Sequence, residues 1–187
     1  MLPLDHVYPT PNVDVLSCPC FAEVYPPSED SFLFLDALET DVNFIRGQLK
    51  PACAASKQVF CVNTSRYLMD AVCCDLLTSI RSSPQGIADI VLFNPPYVPT
   101  GEDELMDAKS TISSAWAGGV NGRQLSPVLT KSGALYILLL KQNEPELVSK
   151  FIRDASGGRL SASVRIIQRQ CGNEQLSVKH APRNWVT

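Results

Sequence analysis

Several features that define particular protein classes are missing from this sequence of 187 residues. It contains no run of basic residues and carries a net charge of −3, which argues against a nucleic-acid partner, because neutralising phosphates requires clustered lysine and arginine. Its longest apolar runs are far too short to span a membrane. Its seven cysteines include no CxxC pair, so no metal site is predicted, and their odd number favours reduced thiols.

The remaining composition is that of one globular domain, with 45% apolar and 19% charged residues. Residues 1–27 are rich in proline and predict an extended arm without helix, ahead of a domain over residues 28–187. A helix is predicted from Ser28, which can cap it, to about residue 43 or 47. Glu29 and Asp30 suit its positive first turn.

Apolar segments farther along the chain predict buried strands that alternate with helices. The predicted strands are residues 57–63, 87–93 and 133–140, a helix is predicted over 144–154, and a hairpin over 163–170 and 175–179 around a turn at 171–173. Such alternation predicts an α/β fold with a parallel sheet, to which the hairpin adds an antiparallel edge strand.

The segment that carries recognisable chemistry is Asn94-Pro95-Pro96-Tyr97, directly after the predicted strand 87–93. Ligands of open α/β sheets bind at the carboxyl ends of strands, so this position favours a functional site over the alternative, an ordinary Asn-Pro turn. A planar NH₂ group is a poor nucleophile and must be held in place for methyl transfer. Asn94 and the carbonyl of Pro95 can accept its two hydrogens, since Pro96 has no N–H, and Tyr97 can stack on it.

This motif is shared by the HemK-like glutamine methyltransferases and by adenine-directed methyltransferases of DNA. Longer stretches resemble the eukaryotic release-factor branch of the first family, and together they span most of the chain. They are VYPPSEDSFL at residues 24–33, LFNPPYV at 92–98, AWAGGVNGR at 115–123 and GNEQLSV at 172–178.

The resemblance implies a Rossmann-like class I methyltransferase sheet that uses S-adenosylmethionine. The implied substrate is the glutamine of a Gly-Gly-Gln motif in the class I translation termination factor, and the implied partner is a small zinc-binding activator protein that forms a heterodimer with the chain. Because termination takes place in the cytoplasm and no targeting segment is visible, we expect a cytoplasmic protein, with the nucleus as a second compartment.

The resemblance also assigns individual residues. Ser31 would lie near the methionine end of the cofactor, Asn63 at the ribose, Asp75 and Leu76 at the adenine, and Asn94–Tyr97 at the glutamine. Two alternatives stay open: Ser31 as a polar residue of the first helical turn, and Asp75 as a loop carboxylate or helix cap.

The sequence departs from the family where the cofactor should bind. No glycine occurs between Gln48 and Gln85, although relatives have Gly-x-Gly-x-Gly there so that the backbone can approach the cofactor. Asn63 replaces an acidic residue and lacks its charge. Residues 63–75 and 123–133 are too few for the crossovers expected there, so the domain is predicted to be truncated internally.

Three explanations fit these losses: a transcript or gene model that skips coding segments, a sequence that omits stretches of the natural chain, or a degenerate paralogue. Three functions follow. The first is a glutamine methyltransferase, the second an inactive methyltransferase-like remnant that only binds, and the third an adenine-N6 or protein-lysine methyltransferase.

Overall fold

A computed structural model of the chain describes residues 11–19, 22, 26–48, 86–94 and 128–184. The predicted strand at 57–63 lies outside these ranges, as do the proposed site residues Asn63, Asp75 and Leu76 and the second half of the motif, Pro95, Pro96 and Tyr97.

The N-terminal arm contains one turn of 3-10 helix, Asp14–Ser17, so the prediction of an arm without helix is wrong at this point. The side-chain oxygen of Asn12 accepts the N–H of Asp14 at 2.8 Å. A side chain that hydrogen-bonds to the backbone two residues ahead favours a turn, which explains why helical geometry starts here.

The predicted first helix is confirmed, but it is divided into α1 (Glu29–Thr40) and α2 (Val42–Gln48) by a break at Asp41. Ser28 is the N-cap residue, as predicted, but its side chain makes no cap hydrogen bond. The carboxylate of Asp30 instead accepts the N–H of Ser31 at 2.7 Å and so satisfies one of the open donors of the first turn.

The described strands form one sheet in the order β1-β2-β4-β3, with the bounds β1 (Ala88–Phe93), β2 (Leu129–Leu140), β3 (Val164–Cys171) and β4 (Glu174–Pro182). β1 runs parallel to β2, whereas β4 is antiparallel to both β2 and β3. The predicted α/β fold with an antiparallel hairpin is therefore confirmed. Helix α3 (Pro145–Ala155) follows β2 as predicted.

Gly86 fixes the approach of β1 to β2. Its φ is +76°, and a Cβ atom at this position would lie 2.1 Å from the carbonyl oxygen of Leu129. Any other residue would therefore clash with the backbone of the neighbouring strand and be strained in this conformation.

The sheet is covered on both faces, and β2 is buried along almost its whole length. One apolar cluster joins α1 and α2 to one face through Leu33, Ala37, Ile45, Leu138 and Val178. The second lies on the α3 side and contains Leu129, Leu135, Ile137, Leu139, Ile152, Leu160 and Ala181. Within the described ranges, none of the helices has the length and apolar content needed to cross a membrane.

A buried polar cluster joins the break between α1 and α2 to the sheet. Asp41 accepts a hydrogen bond from the Tyr136 hydroxyl at 2.6 Å and lies 3.1 Å from Nδ1 of His180. The imidazole stacks on the ring of Tyr136 and meets Phe44 edge-on. Burial lowers the pKa of His180 below its ordinary value, although the charge of Asp41 opposes that effect.

We expect the free energy of unfolding to fall as the pH drops below about 6.5, the ordinary pKa of histidine. When the pKa of a histidine is depressed in the folded state, the folded state is favoured above about pH 6.5. Below that pH, the unfolded chain takes up the proton more readily than the folded chain does. The free energy of unfolding would change by at most about 1.4 kcal/mol per pH unit. Urea titrations of the chain and of a His180→Phe variant test this, and an identical slope in the two proteins would rule it out.

Candidate active site

The candidate site is at the carboxyl end of β1, where the chain leaves the sheet. Asn94 directly follows Phe93, the last residue of β1, and its side chain is exposed. Phe93 pairs with Ile137 of β2, so Asn94 emerges beside the longest of the described strands. This is the edge at which open α/β sheets bind their ligands.

The amino end of α1 lies against the same position. The side-chain nitrogen of Asn94 donates a hydrogen bond to Oδ2 of Asp30 at 2.8 Å, although the two residues are 64 positions apart in the sequence. The other carboxylate oxygen of Asp30, Oδ1, accepts the backbone N–H of Ser31 at 2.7 Å and its hydroxyl at 3.3 Å. One carboxylate thus contacts both Ser31 and Asn94.

Ser31 and Asn94 were predicted separately from the sequence, and the structure brings them together through a residue that the prediction did not include in the site. Asp30 was assigned only a favourable interaction with the helix dipole. The sequence feature that could have placed Asp30 in the site is its position directly before Ser31. A carboxylate in the first helical turn can also bond a group outside the helix. The roles predicted for Asn63, Asp75, Leu76 and the Pro95–Tyr97 segment stay predictions.

The first turn of α1 is tied to the edge of the sheet by an arginine. Arg169 of β3 contacts Glu29 at 3.2 Å and also forms an ion pair with Asp36, whose side chain is buried. Burial by itself would lower the pKa of Arg169, but its bonds to Glu29 and Asp36 raise it above its ordinary value. Arg169 therefore keeps its charge and anchors the turn that carries Asp30.

The other end of the hairpin holds α3 in place. The side chain of Lys179 is almost fully buried, and its Nζ donates to the Pro145 carbonyl at 3.1 Å and to the Ser149 hydroxyl at 2.9 Å. Oε1 of Glu146 lies 2.9 Å from the same Nζ atom, and the hydrogen bond from Lys179 lowers the pKa of Glu146. These contacts belong to the support of the sheet and lie on the α3 side, away from α1.

The polar groups at the candidate site suit part of the cofactor that the resemblance implies. A hydroxyl and an amide at a strand end are groups that bind polar ligand atoms, and they fit the methionine end of S-adenosylmethionine together with an amide substrate. The residues predicted for the nucleoside end lie outside the described ranges. No group of three or more histidine, cysteine, aspartate or glutamate side chains in the described part of the chain could hold a metal ion.

No protein-family model matches the sequence. Among known proteins, the chain is similar to methyltransferase HEMK2 of Mus musculus, with 29% identity across 91% of this chain and 94% of that protein. It is 29% identical to the eRF1 methyltransferase catalytic subunit mtq2 of Schizosaccharomyces pombe, across 90% of this chain and 93% of that protein. It is 32% identical to a putative protein N5-glutamine methyltransferase of Methanocaldococcus jannaschii, across 62% of this chain and 72% of that protein.

The fold is also that of a solved methyltransferase structure. A chain of the E. cuniculi Mtq2–Trm112 complex, which methylates the termination factor eRF1, superposes with a TM-score of 0.50 at 21% identity and covers 86% of this chain. The fold and the sequence relatives together define an α/β methyltransferase. Within that class, the chain belongs to the protein N5-glutamine methyltransferase family, as the resemblance predicted.

The alignment with the mouse protein also bears on the predicted internal losses. It extends over 208 positions, more than the 187 residues of this chain, so the mouse protein has residues where this chain has none. The prediction that the domain is truncated internally is therefore supported.

Proposed function

We propose that this protein transfers a methyl group to the side-chain nitrogen of the glutamine in a Gly-Gly-Gln motif of the class I translation termination factor. The observation that carries the proposal is Asn94 at the carboxyl end of β1, bonded to the first turn of α1, in a chain of the glutamine methyltransferase family. Two of its relatives carry eRF1 methylation in their names, which favours glutamine over adenine or lysine as the substrate.

The chemistry that the site must supply is mainly positioning. An amide nitrogen is a weak nucleophile, so its NH₂ group has to be held in the plane and direction in which the methyl group arrives. Asn94 accepts one N–H hydrogen through its side-chain oxygen, and the Pro95 carbonyl accepts the other. S-adenosylmethionine, when bound, supplies the methyl group as a sulfonium substituent. Ser31 would bind its methionine end, and Asn63, Asp75 and Leu76 its nucleoside.

The proposed partner is a small zinc-binding activator protein. The E. cuniculi relative forms a complex with Trm112. Because its substrate acts in translation, we place the complex in the cytoplasm, with the nucleus as a second compartment.

The test is a transfer assay with labelled S-adenosylmethionine, the chain in complex with its Trm112-like partner, and eRF1 as the acceptor. We expect label on wild-type eRF1 and none on eRF1 in which the Gly-Gly-Gln glutamine is replaced by alanine. Equal labelling of both acceptors would contradict the proposed substrate. The mouse relative, assayed in parallel, shows that the acceptor and partner are competent.

A further inference from the structure

The orientation of the Asn94 amide is set by its partner. A carboxylate can only accept hydrogen bonds, so the group that Asn94 turns toward Asp30 at 2.8 Å must be its NH₂ group. The carbonyl oxygen at the other end of the same planar amide is then turned away from Asp30. This is the end that the proposed reaction requires, because a substrate NH₂ group needs an acceptor.

Asp30 is itself held in place. Its Oδ1 atom accepts both the N–H and the hydroxyl of Ser31, and the turn that carries it is anchored by the contacts of Arg169 with Glu29 and Asp36. Leu33, two residues beyond Ser31, is fully buried against the sheet and fixes the rotation of α1. The Asp30 carboxylate that accepts the hydrogen bond of Asn94 is therefore held in a fixed position.

We infer that Asp30 is a positioning residue for the transfer: it holds the Asn94 side chain with its nitrogen toward α1 and its carbonyl oxygen toward the substrate amide. This inference rests on the proposed function. Through its second oxygen Asp30 also fixes Ser31, so that one carboxylate sets the relative position of the cofactor-side and substrate-side groups.

The orientation of the Asn94 amide predicts an unusual order of effects for two substitutions of Asp30. In Asp30→Asn, the new side chain keeps its shape and can still accept the Ser31 N–H through its oxygen, but it then presents an NH₂ group to Asn94. Two donors cannot bond, so Asn94 turns over and offers its own NH₂ group to the substrate. In Asp30→Ala, Asn94 loses its partner but remains able to adopt either orientation.

We therefore expect Asp30→Asn to lower kcat at least as much as Asp30→Ala, by about 10- to 100-fold, with a much smaller change in KM for eRF1. A residue that only supported the helix would give the opposite order, since asparagine preserves its shape and capping ability. Asp154→Asn is the matched control. It makes the same Asp-to-Asn change in α3, where Asp154 contacts Arg153 at 3.6 Å and lies outside the candidate site, and it should leave kcat within about 2-fold.

A second readout does not depend on activity. In protein labelled with ¹⁵N-asparagine, the Asn94 side-chain NH₂ signals, identified by their loss in Asn94→Ala, should move in both Asp30 variants and stay in place in Asp154→Asn. Unmoved signals in the Asp30 variants would overturn the inference. If the wild-type complex fails to methylate eRF1 while these signals move as expected, the proposed function fails and the contact stands.

Discussion

Replacing Asn94 with alanine is expected to lower kcat for glutamine methylation by about 100- to 1,000-fold, the range seen when one preorganised hydrogen-bonding group is removed from an active site. The variant loses the acceptor that orients the substrate amide. It keeps the backbone of β1, because Asn94 follows the last residue of the strand and is exposed. Calorimetry should therefore show nearly unchanged binding of S-adenosylmethionine.

The matched control is Asn173→Ala. Asn173 is also an exposed asparagine, but it lies in the turn between β3 and β4. Its replacement should leave the rate and the affinity unchanged. Methylation of eRF1 by Asn94→Ala at the wild-type rate would refute the role given to Asn94.

The second large effect concerns the cofactor. We expect this chain to bind S-adenosylmethionine far more weakly than the mouse relative, by at least about 10- to 100-fold. It lacks glycine from residue 48 to residue 85, and it has Asn63 where the family resemblance implies an acidic residue. A side chain in place of a glycine would occupy space that the backbone needs in order to approach the cofactor. Isothermal titration of both proteins under the same conditions measures the difference.

Asn63→Asp separates the two causes of weak binding. Restoring the charge should recover part of the affinity, because a charge-assisted hydrogen bond is roughly twice as strong as a neutral one. The glycine-free segment would account for the remainder. Micromolar binding by the unaltered chain would contradict this expectation, and it would mean that another segment replaces the glycine turn.

β1 and the second half of β2 could be predicted from the sequence because they are apolar runs bounded by turn residues. The hairpin of β3 and β4 follows from the glycine at 172, whose φ is +58°. The first residues of β2 were missed because Thr130, Lys131 and Ser132 interrupt the apolar pattern. The backbone nevertheless pairs Leu129 with Ala88, so the strand begins four residues before the predicted start at Gly133.

The residues that the sequence could not reveal are those whose partners are distant in the chain. Nothing near Asp30 indicates a bond to Asn94, and nothing near Asp41 indicates that its carboxylate meets Tyr136 and His180. Lys179 follows an apolar run and would be taken as exposed, yet it is buried against α3. Burial of such polar groups depends on tertiary contacts, which local periodicity does not encode.

The most direct test of the central claim is mass spectrometry of the Gly-Gly-Gln peptide of eRF1 after incubation with S-adenosylmethionine and the chain in complex with its Trm112-like partner. We predict a mass increase of one methylene group, located by fragmentation on the glutamine side chain, and its absence when Asn94→Ala replaces the wild-type chain. An unmodified glutamine in a reaction where the mouse relative modifies it fully, or a methyl group on another residue, would contradict the claim.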